Sequence, residues 1–283
     1  MMIQFNDVDK EYPSELGENN VFPALSQVSF QLEEGQSLGM IGSNGAGKST
    51  CIRLMMGFMK HSAGSVAVFG SSPHSSQHRN IGYLPEVTAF PQNLKCIELL
   101  RFAAKTCAMP KKEVEASIEY WLTRLGLWDV RFRLLRNFSK GMQQRASFAM
   151  ALVHDPKLLI LDEPMSGLDP VGRMEIVALI QELREKGKSI LFCSHVLDDV
   201  EKLVDQVLIL HQGKVCFQGS VSELCQSQAD WLVVGQDLQQ HRFSSREELS
   251  VYMQENADNI KLVKHHEDFE SAFLRTVKES VAI

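Results

Sequence analysis

Short apolar runs alternate with longer amphipathic stretches along this chain, a pattern that predicts an α/β protein built on a parallel sheet. Residues 37–41 (SLGMI) form one such run and lead straight into the glycine-rich segment GSNGAGKST. Residues 50–58 (TCIRLMMGF) then have helical character, and residues 64–69 (GSVAVF) read as a returning strand. Residues 158–161 (LLIL) are continuously apolar, as expected for a strand covered on both faces, and residues 189–193 (SILFC) repeat the pattern. Between these two lies a helix with clear ends: Asp169 suits its N-cap, Pro170 its first turn and Gly187 its exit. Val171, Met174, Val177 and Ala178 recur at helical spacing, so that face is expected to pack on the sheet.

The stretch from about residue 88 to 156 is different. Helical periodicity dominates it (IELLRFAAKTCAM, VEASIEYWLTRLGLW), which predicts a helical insertion into the α/β core. Past residue 220 the pattern changes again. WLVV and IKLVKHH read as strands, SREELSVYMQE and DFESAFLRTVKE as helices, and Ser245 and Glu248 have capping-box spacing. The expected organisation is one large domain over residues 1–220, with its helical subdomain at about 88–156, and a small appendage over 221–283.

Composition narrows the class of function. With 283 residues, 44% hydrophobic and 23% charged, the chain has enough apolar material for a substantial core and is not of disordered type. A formal net charge of −6 argues against a protein held to nucleic acid by phosphate contacts, so no nucleic-acid partner is expected. The six cysteines stand singly, without CxxC pairs, and read as reduced thiols of a cytosolic protein. The start MMIQFNDVDKEYP lacks a signal-peptide pattern, and no run of about 18 apolar residues occurs, so the chain is not expected to span a membrane itself.

The strongest chemical signal is Gly42-Ser43-Asn44-Gly45-Ala46-Gly47-Lys48-Ser49, which matches GxxxxGK[ST] between a predicted strand and a predicted helix. Glycines let successive backbone N–H groups converge on phosphate oxygens, and the following helix adds its positive end. Lys48 can set an ammonium near the β and γ phosphates, and the Ser49 hydroxyl can ligate Mg²⁺. The LLIL run ends in Asp162-Glu163-Pro164. Because adjacent strand residues point to opposite faces, this pair can divide its labour. Asp162 suits Mg²⁺ coordination, and Glu163 suits holding and deprotonating an attacking water.

In their order and spacing, these and further segments resemble an ABC-type ATPase over roughly residues 3–220. Phe138-Ser139-Lys140-Gly141-Met142-Gln143-Gln144-Arg145 resembles the ABC signature, about 20 residues before Asp162. Ser166-Gly167-Leu168-Asp169 resembles the D-loop, Ser194-His195 the switch histidine, and Ile81-Gly82-Tyr83-Leu84-Pro85-Glu86 the Q-loop segment. Tyr12 stands where the family has an aromatic adenine platform. The resemblance implies a RecA-like P-loop NTPase core with a mostly parallel sheet, an antiparallel β subdomain and the helical insertion, plus the small C-terminal α+β appendage. It implies that ATP lies against Tyr12 and residues 42 to 50, Thr50 included, with Mg²⁺ at Ser49, Glu86 and Asp162. Glu163 and His195 would be catalytic, His195 contacting the γ-phosphate. Ser139 would cap a helix whose free N–H groups form an anion site. In the family that site, here Ser139, Gly141 and Met142 with Asp169 nearby, meets the γ-phosphate bound by the other subunit of a head-to-tail dimer, a second copy of the chain or a homologous ATPase. The implied setting is the cytoplasmic face of a membrane, peripheral to an integral membrane permease that selects the cargo.

Two departures stand out. Glu86 replaces the glutamine that names the Q-loop, and Lys140 and Met142 replace the usual Gly and Gln of the signature. Together with EPMSGLDP and the tail EDFESAFLR, they resemble ATPase subunits of ABC-2-type exporters more than importers. A DNA-repair or ribosome-associated ABC ATPase would typically carry a long coiled coil or two cassettes, and neither is visible here. A P-loop kinase or GTPase would leave FSKGMQQR and the Ser-His pair without a role. Cys51, in the first turn after the phosphate loop, is expected to be a packing residue, with an activated, ATP-protected thiol as the sharper reading. The His265-His266 pair is expected to be solvated, having no partner ligand at metal spacing.

Overall fold

The computed structural model describes residues 1–13, 21–87, 90–226, 231–236, 239–243, 245–265 and 268–281, which form two compact units, Met1–Gln218 and Gly219–Ile283. The first unit opens with two long strands, β1 (Ile3–Pro13) and β2 (Val21–Leu32), then β3 (Ser37–Ile41), α1 (Lys48–Met55), β4 (Ala63–Val68) and β5 (Ile81–Leu84). Three helices follow, α2 (Cys96–Thr106), α3 (Lys111–Arg124) and α4 (Lys140–Leu152). The unit continues with β6 (Leu158–Asp162), α5 (Pro170–Glu185), β7 (Ser189–Cys193), α6 (Leu197–Leu203) and β8 (Gln206–His211), and the boundary at Gln218 falls within the last strand, β9 (Lys214–Ser220).

The strands form a six-stranded sheet in the order β5-β6-β7-β3-β8-β9 and a three-stranded sheet in the order β2-β1-β4. In the larger sheet the neighbours from β5 through β8 are all parallel. β1 pairs antiparallel with both β2 and β4, so the returning strand expected after α1 belongs to the small sheet. β1 and β2 escape the eye in the sequence because polar residues interrupt their apolar alternation, as in the β1 burial pattern BiBeeBiieie. One face of the parallel sheet (Leu38, Met40, Leu158, Ile160, Leu191, Cys193, Leu208) shares a core with Cys51, Ile52, Leu54 and Met55 of α1 and with the small sheet. In that core Phe5 and Phe30 stack at 4.4 Å. The opposite face carries α6, where a Cβ on Gly39 would fall 2.4 Å from Val200. β6 and β7 are therefore buried along their whole length, which is why their sequences do not alternate.

α2 and α3 pack against α4, and the described residues between β5 and β6 include no strand. α5 begins and ends as its sequence signals. Asp169 Oδ1 accepts from Gly172 N at 2.8 Å, Pro170 opens the helix, and Gly187 follows it at φ +78°. Its buried face is a correction. Val171 and Met174 are 64% and 73% exposed, and the helix packs instead through Gly172, Ile176, Leu179, Ile180 and Leu183. Both stripes have helical spacing, and the one with four branched aliphatics buries more area, at about 1.5–3 kcal/mol per side chain.

The second unit has α7 (Val221–Gln226), β10 (Trp231–Gly235), β11 (Gln240–Phe243), α8 (Arg246–Glu255), β12 (Ile260–His265) and α9 (Phe269–Val281). Its antiparallel sheet has the order β11-β10-β12. β11 and α7 carry no clear period in the sequence, whereas Ser245 caps α8 by accepting from Glu248 N at 3.1 Å. His266 and the side chain of His265 lie outside the described residues, as does Thr88. No helix among the described residues is long and apolar enough to cross a membrane.

Candidate functional site

Because β5, β6, β7 and β3 run parallel, their C-terminal ends share one edge of the sheet, and Glu86, Asp162, Glu163, His195 and the phosphate loop lie at or just past those ends, while Tyr12 comes from β1 of the small sheet. The registers align Asp162 with Cys193 and Cys193 with Met40, so Glu163, Ser194 and Gly42 emerge at similar height. There a cleft of about 610 Å³ is lined by Tyr12, residues 42 to 50, Glu86, Asp162, Glu163 and His195, and also by Phe22, Ala24 and Arg53.

The loop from Gly42 to Gly47 wraps the start of α1. A Cβ on Gly42 would lie 2.4 Å from Leu210 O, and Gly47 sits at φ +109° with Leu25 against it, so neither position admits a side chain. The Lys48 ammonium lies across the loop and donates to the carbonyls of Gly42 and Ser43. Ser49 is exposed in the first turn, while Thr50 is buried, its Oγ1 3.4 Å from Tyr12 Oη. Tyr12 also donates to Met59 Sδ at 3.2 Å, which fixes its ring at the cleft wall. Phe22, 63% exposed, is its cross-strand partner on β2.

Glu163 is the most constrained group in the cleft. Its backbone is left-handed at φ +49°, a conformation that costs roughly 1–3 kcal/mol for a residue with a Cβ. This turn ends the strand's alternation, so Asp162 and Glu163 line the same cleft and do not diverge to opposite faces of the sheet as the strand period alone suggests. Glu163 Oε1 accepts from His195 N at 2.9 Å and lies 2.8 Å from His195 Nδ1, and Ser194 Oγ is 3.4 Å from Oε2. The carboxylate is thus gripped by the loop between β7 and α6.

Asp162 is pushed up to about 6 by burial, with the charges of Glu86 and Glu163 adding and those of Lys48 and Arg53 opposing. Three carboxylates (Glu86, Asp162, Glu163) against two cations (Lys48, Arg53) leave the cleft short of positive charge. An all-oxygen set of Ser49, Glu86 and Asp162 fits a hard divalent cation. Among the described residues no cluster of three His, Cys, Asp or Glu could hold a metal by itself, so phosphate oxygens and water would complete the shell.

The other candidates lie outside this cleft. Ser139 caps α4, its Oγ accepting from Met142 N at 3.2 Å. Gly141 faces Leu168, and Gly167 faces Lys140, so residues 166–169 pack beside the start of α4. Asp169 spends one carboxylate oxygen on capping α5. None of Ser139, Gly141, Met142 and Asp169 lines the cleft that holds Lys48 and Glu163. Arg53 and Phe22 were not expected from the sequence. Arg53 was legible only as a residue two turns into the loop helix, and Phe22 only through its pairing with Tyr12. Cys51 is wholly buried, and burial pushes its thiol up to about 12, which rules out the activated thiol and leaves the packing role.

The chain is similar to known proteins. The ABC transporter family model matches residues 25–166. An ABC transporter ATP-binding protein of Methanocaldococcus jannaschii is 37% identical over 205 residues, 72% of this chain and 75% of that one. The bacitracin transport ATP-binding protein BcrA of Bacillus licheniformis is 37% identical over 218 residues, 76% of this chain and 68% of that one. A solved ATP-binding subunit of an ABC transporter superposes with a TM-score of 0.72 at 29% identity, over 79% of this chain and 92% of that chain. By these likenesses the chain belongs to the ABC transporter family as an ATP-binding, ATP-hydrolysing cassette.

Proposed function

We propose that two copies of this chain close head-to-tail over two ATP molecules and drive export through a separate integral membrane permease, bound peripherally at the cytoplasmic face. The observation that carries this reading is the division of the machinery. Lys48, Asp162, Glu163 and His195 share one cleft, while the Ser139 helix end and Asp169 lie outside it. An anion-binding helix end with no phosphate loop opposite it within its own chain calls for one from a second copy. A dimeric ATP-binding cassette in a post-hydrolysis state with ADP and Pi bound shares the fold, with a TM-score of 0.70 at 22% identity over 77% of this chain and 98% of that one.

In this reading the loop N–H groups and Lys48 hold the β and γ phosphates, and Tyr12, with Phe22 beside it, covers the adenine. Mg²⁺, when bound at Ser49, Asp162 and Glu86, offsets phosphate charge. Glu163 takes a proton from the attacking water, and His195, already on Glu163 Oε1, holds that water's other side. Cleavage breaks the bond that ties the γ-phosphate at the Ser139 helix of one copy to the nucleotide held by the loop of the other, and the copies part. Export is supported by relatives named for bacitracin transport and for linearmycin resistance, the latter from Bacillus subtilis at 32% identity. For the permease, the segment after Glu86 offers an apolar groove of about 460 Å³ on which Val87 and Phe102 are 75% and 65% exposed.

The test is the Glu163→Gln variant with Mg-ATP, run by size exclusion with light scattering, alone and with the membrane protein it co-purifies with. A dimer is expected, together with stimulation of wild-type ATPase by that membrane protein. A strict monomer in both settings would refute the paired reading.

A further inference from the structure

We infer that α5 is a strut linking the signature helix of one nucleotide site to the switch histidine of the other, and that Arg173 positions His195 by holding Asp199. The inference rests on the paired-site reading above and concerns residues to which that reading gives no role.

His195 is 71% exposed and sits in a three-residue loop between β7 and α6. On the β7 side the loop hangs on Glu163. On the other side everything depends on α6, a helix of seven residues whose N-cap, Val196, has no side chain to offer. Helices this short do not hold themselves, and what fixes this one must be tertiary. Val200 packs against β3, and Asp199 in the first turn makes a two-pronged pair with Arg173 of α5, at 2.6 Å to Nη2 and 3.3 Å to Nε. Asp199 is only 6% exposed, so its carboxylate is turned from water toward that guanidinium. Planar, two-pronged contact also fixes orientation, which a point charge would not.

Two residues further along α5, Glu175 pairs with Arg145 of α4 at 3.2 Å, and from the neighbouring position Gln144 Nε2 donates to Pro164 O, just past Glu163, at 2.7 Å. The first turns of α5 therefore touch α4, whose N-terminus is the Ser139 anion site, and α6, whose N-terminus is the His195 loop. The capping residue of α5 is Asp169, the last residue of the loop packed beside Ser139. In a head-to-tail pair, Ser139 reads the γ-phosphate of the opposite copy. A shift of α4 on meeting that phosphate moves α5 through Arg145–Glu175, and α5 moves the His195 loop through Arg173–Asp199. Each copy would thereby align its own water-holding histidine only when the other copy's nucleotide is in place.

The test uses the full chain with Arg173→Gln, which keeps the reach and loses the charge, and the swap Arg173→Asp with Asp199→Arg. Circular dichroism first establishes that each is folded. For Arg173→Gln, kcat is expected to fall about tenfold with KM for ATP changed less than about twofold, and the Hill coefficient to drop toward unity. The same substitution in a Glu163→Gln background should still give the Mg-ATP dimer, because the Ser139 contact is untouched. The swap should recover more kcat than either single charge change retains. If Arg173→Gln does not fold, Arg173→Lys replaces it, with an intermediate kcat expected because the charge stays and the fork is lost. Unchanged kcat and Hill coefficient in the folded variant would overturn the strut, as would a swap no better than its single changes. Loss of the dimer in Glu163→Gln with Arg173 intact would instead sink the paired-site reading itself.

Discussion

Glu163 combines backbone strain and its proposed role at one position: a left-handed backbone turns its carboxylate into the cleft, where the His195 loop holds it. Glu163→Gln keeps the shape and removes the proposed base, so turnover should fall by roughly 10²–10⁴ while ATP binding survives, measured by steady-state hydrolysis and by titration with a fluorescent nucleotide. Lys48→Ala acts earlier in the cycle and should weaken nucleotide binding itself. Full binding by that variant would contradict its place on the phosphates. Asp162 gives a pH signature. Its folded value of about 6 is raised above the ordinary carboxylate value, so the stability it contributes is complete below about pH 4 and is lost as pH rises through about 6. In nucleotide- and metal-free protein, Asp162→Asn should therefore flatten the melting temperature between pH 5 and pH 7.5, removing a dependence of about 1.4 kcal/mol. An equally steep wild-type and variant profile would place the titration elsewhere.

At the scale of an element, α5 and α4 each separate two roles along one helix. The buried stripe of α5 bears the packing, so Ile176→Ala should cost about 2–5 kcal/mol in denaturant unfolding, against a change within about 0.5 kcal/mol for Met174→Ala. The reverse order would restore the face that spacing alone suggested. α4 begins at a cap that serves both the helix and the proposed anion site. Ser139→Ala should cost only about 1 kcal/mol of stability yet lower ATPase far more than that loss of fold explains. ATPase falling only in step with the folded fraction would reduce Ser139 to a cap.

For the whole molecule, ligand and partner enter the same equilibrium. Anything that binds only the folded dimer raises apparent stability with concentration, by about 2.7 kcal/mol at a hundredfold excess over Kd. The Glu163→Gln protein should thus melt higher with Mg-ATP, and its melting temperature should rise with protein concentration, whereas the nucleotide-free protein should show no such dependence.

Much of this protein could be read from residues alone. Glycines at 42, 45 and 47, Lys48, the carboxylates after LLIL and the cap signals around α5 act through local geometry, and local geometry is written in short stretches of chain. The helical character of the segment before β6 and the capping of α8 by Ser245 were legible for the same reason. What the chain could not announce was set by distant partners. Which stripe of α5 is buried depends on the shape of the sheet beneath it, because two apolar stripes fit the same period. β1 and β2 take their form from each other, across a sheet whose alternation their polar residues hide. Phe22 joins the cleft through the antiparallel pairing of β2 with β1, and Arg173 meets Asp199 only because the parallel strands and their connections bring α5 and α6 together. A hydrogen bond within a turn is decided by its neighbours in sequence, while packing and charge pairing are decided by whatever the fold places opposite.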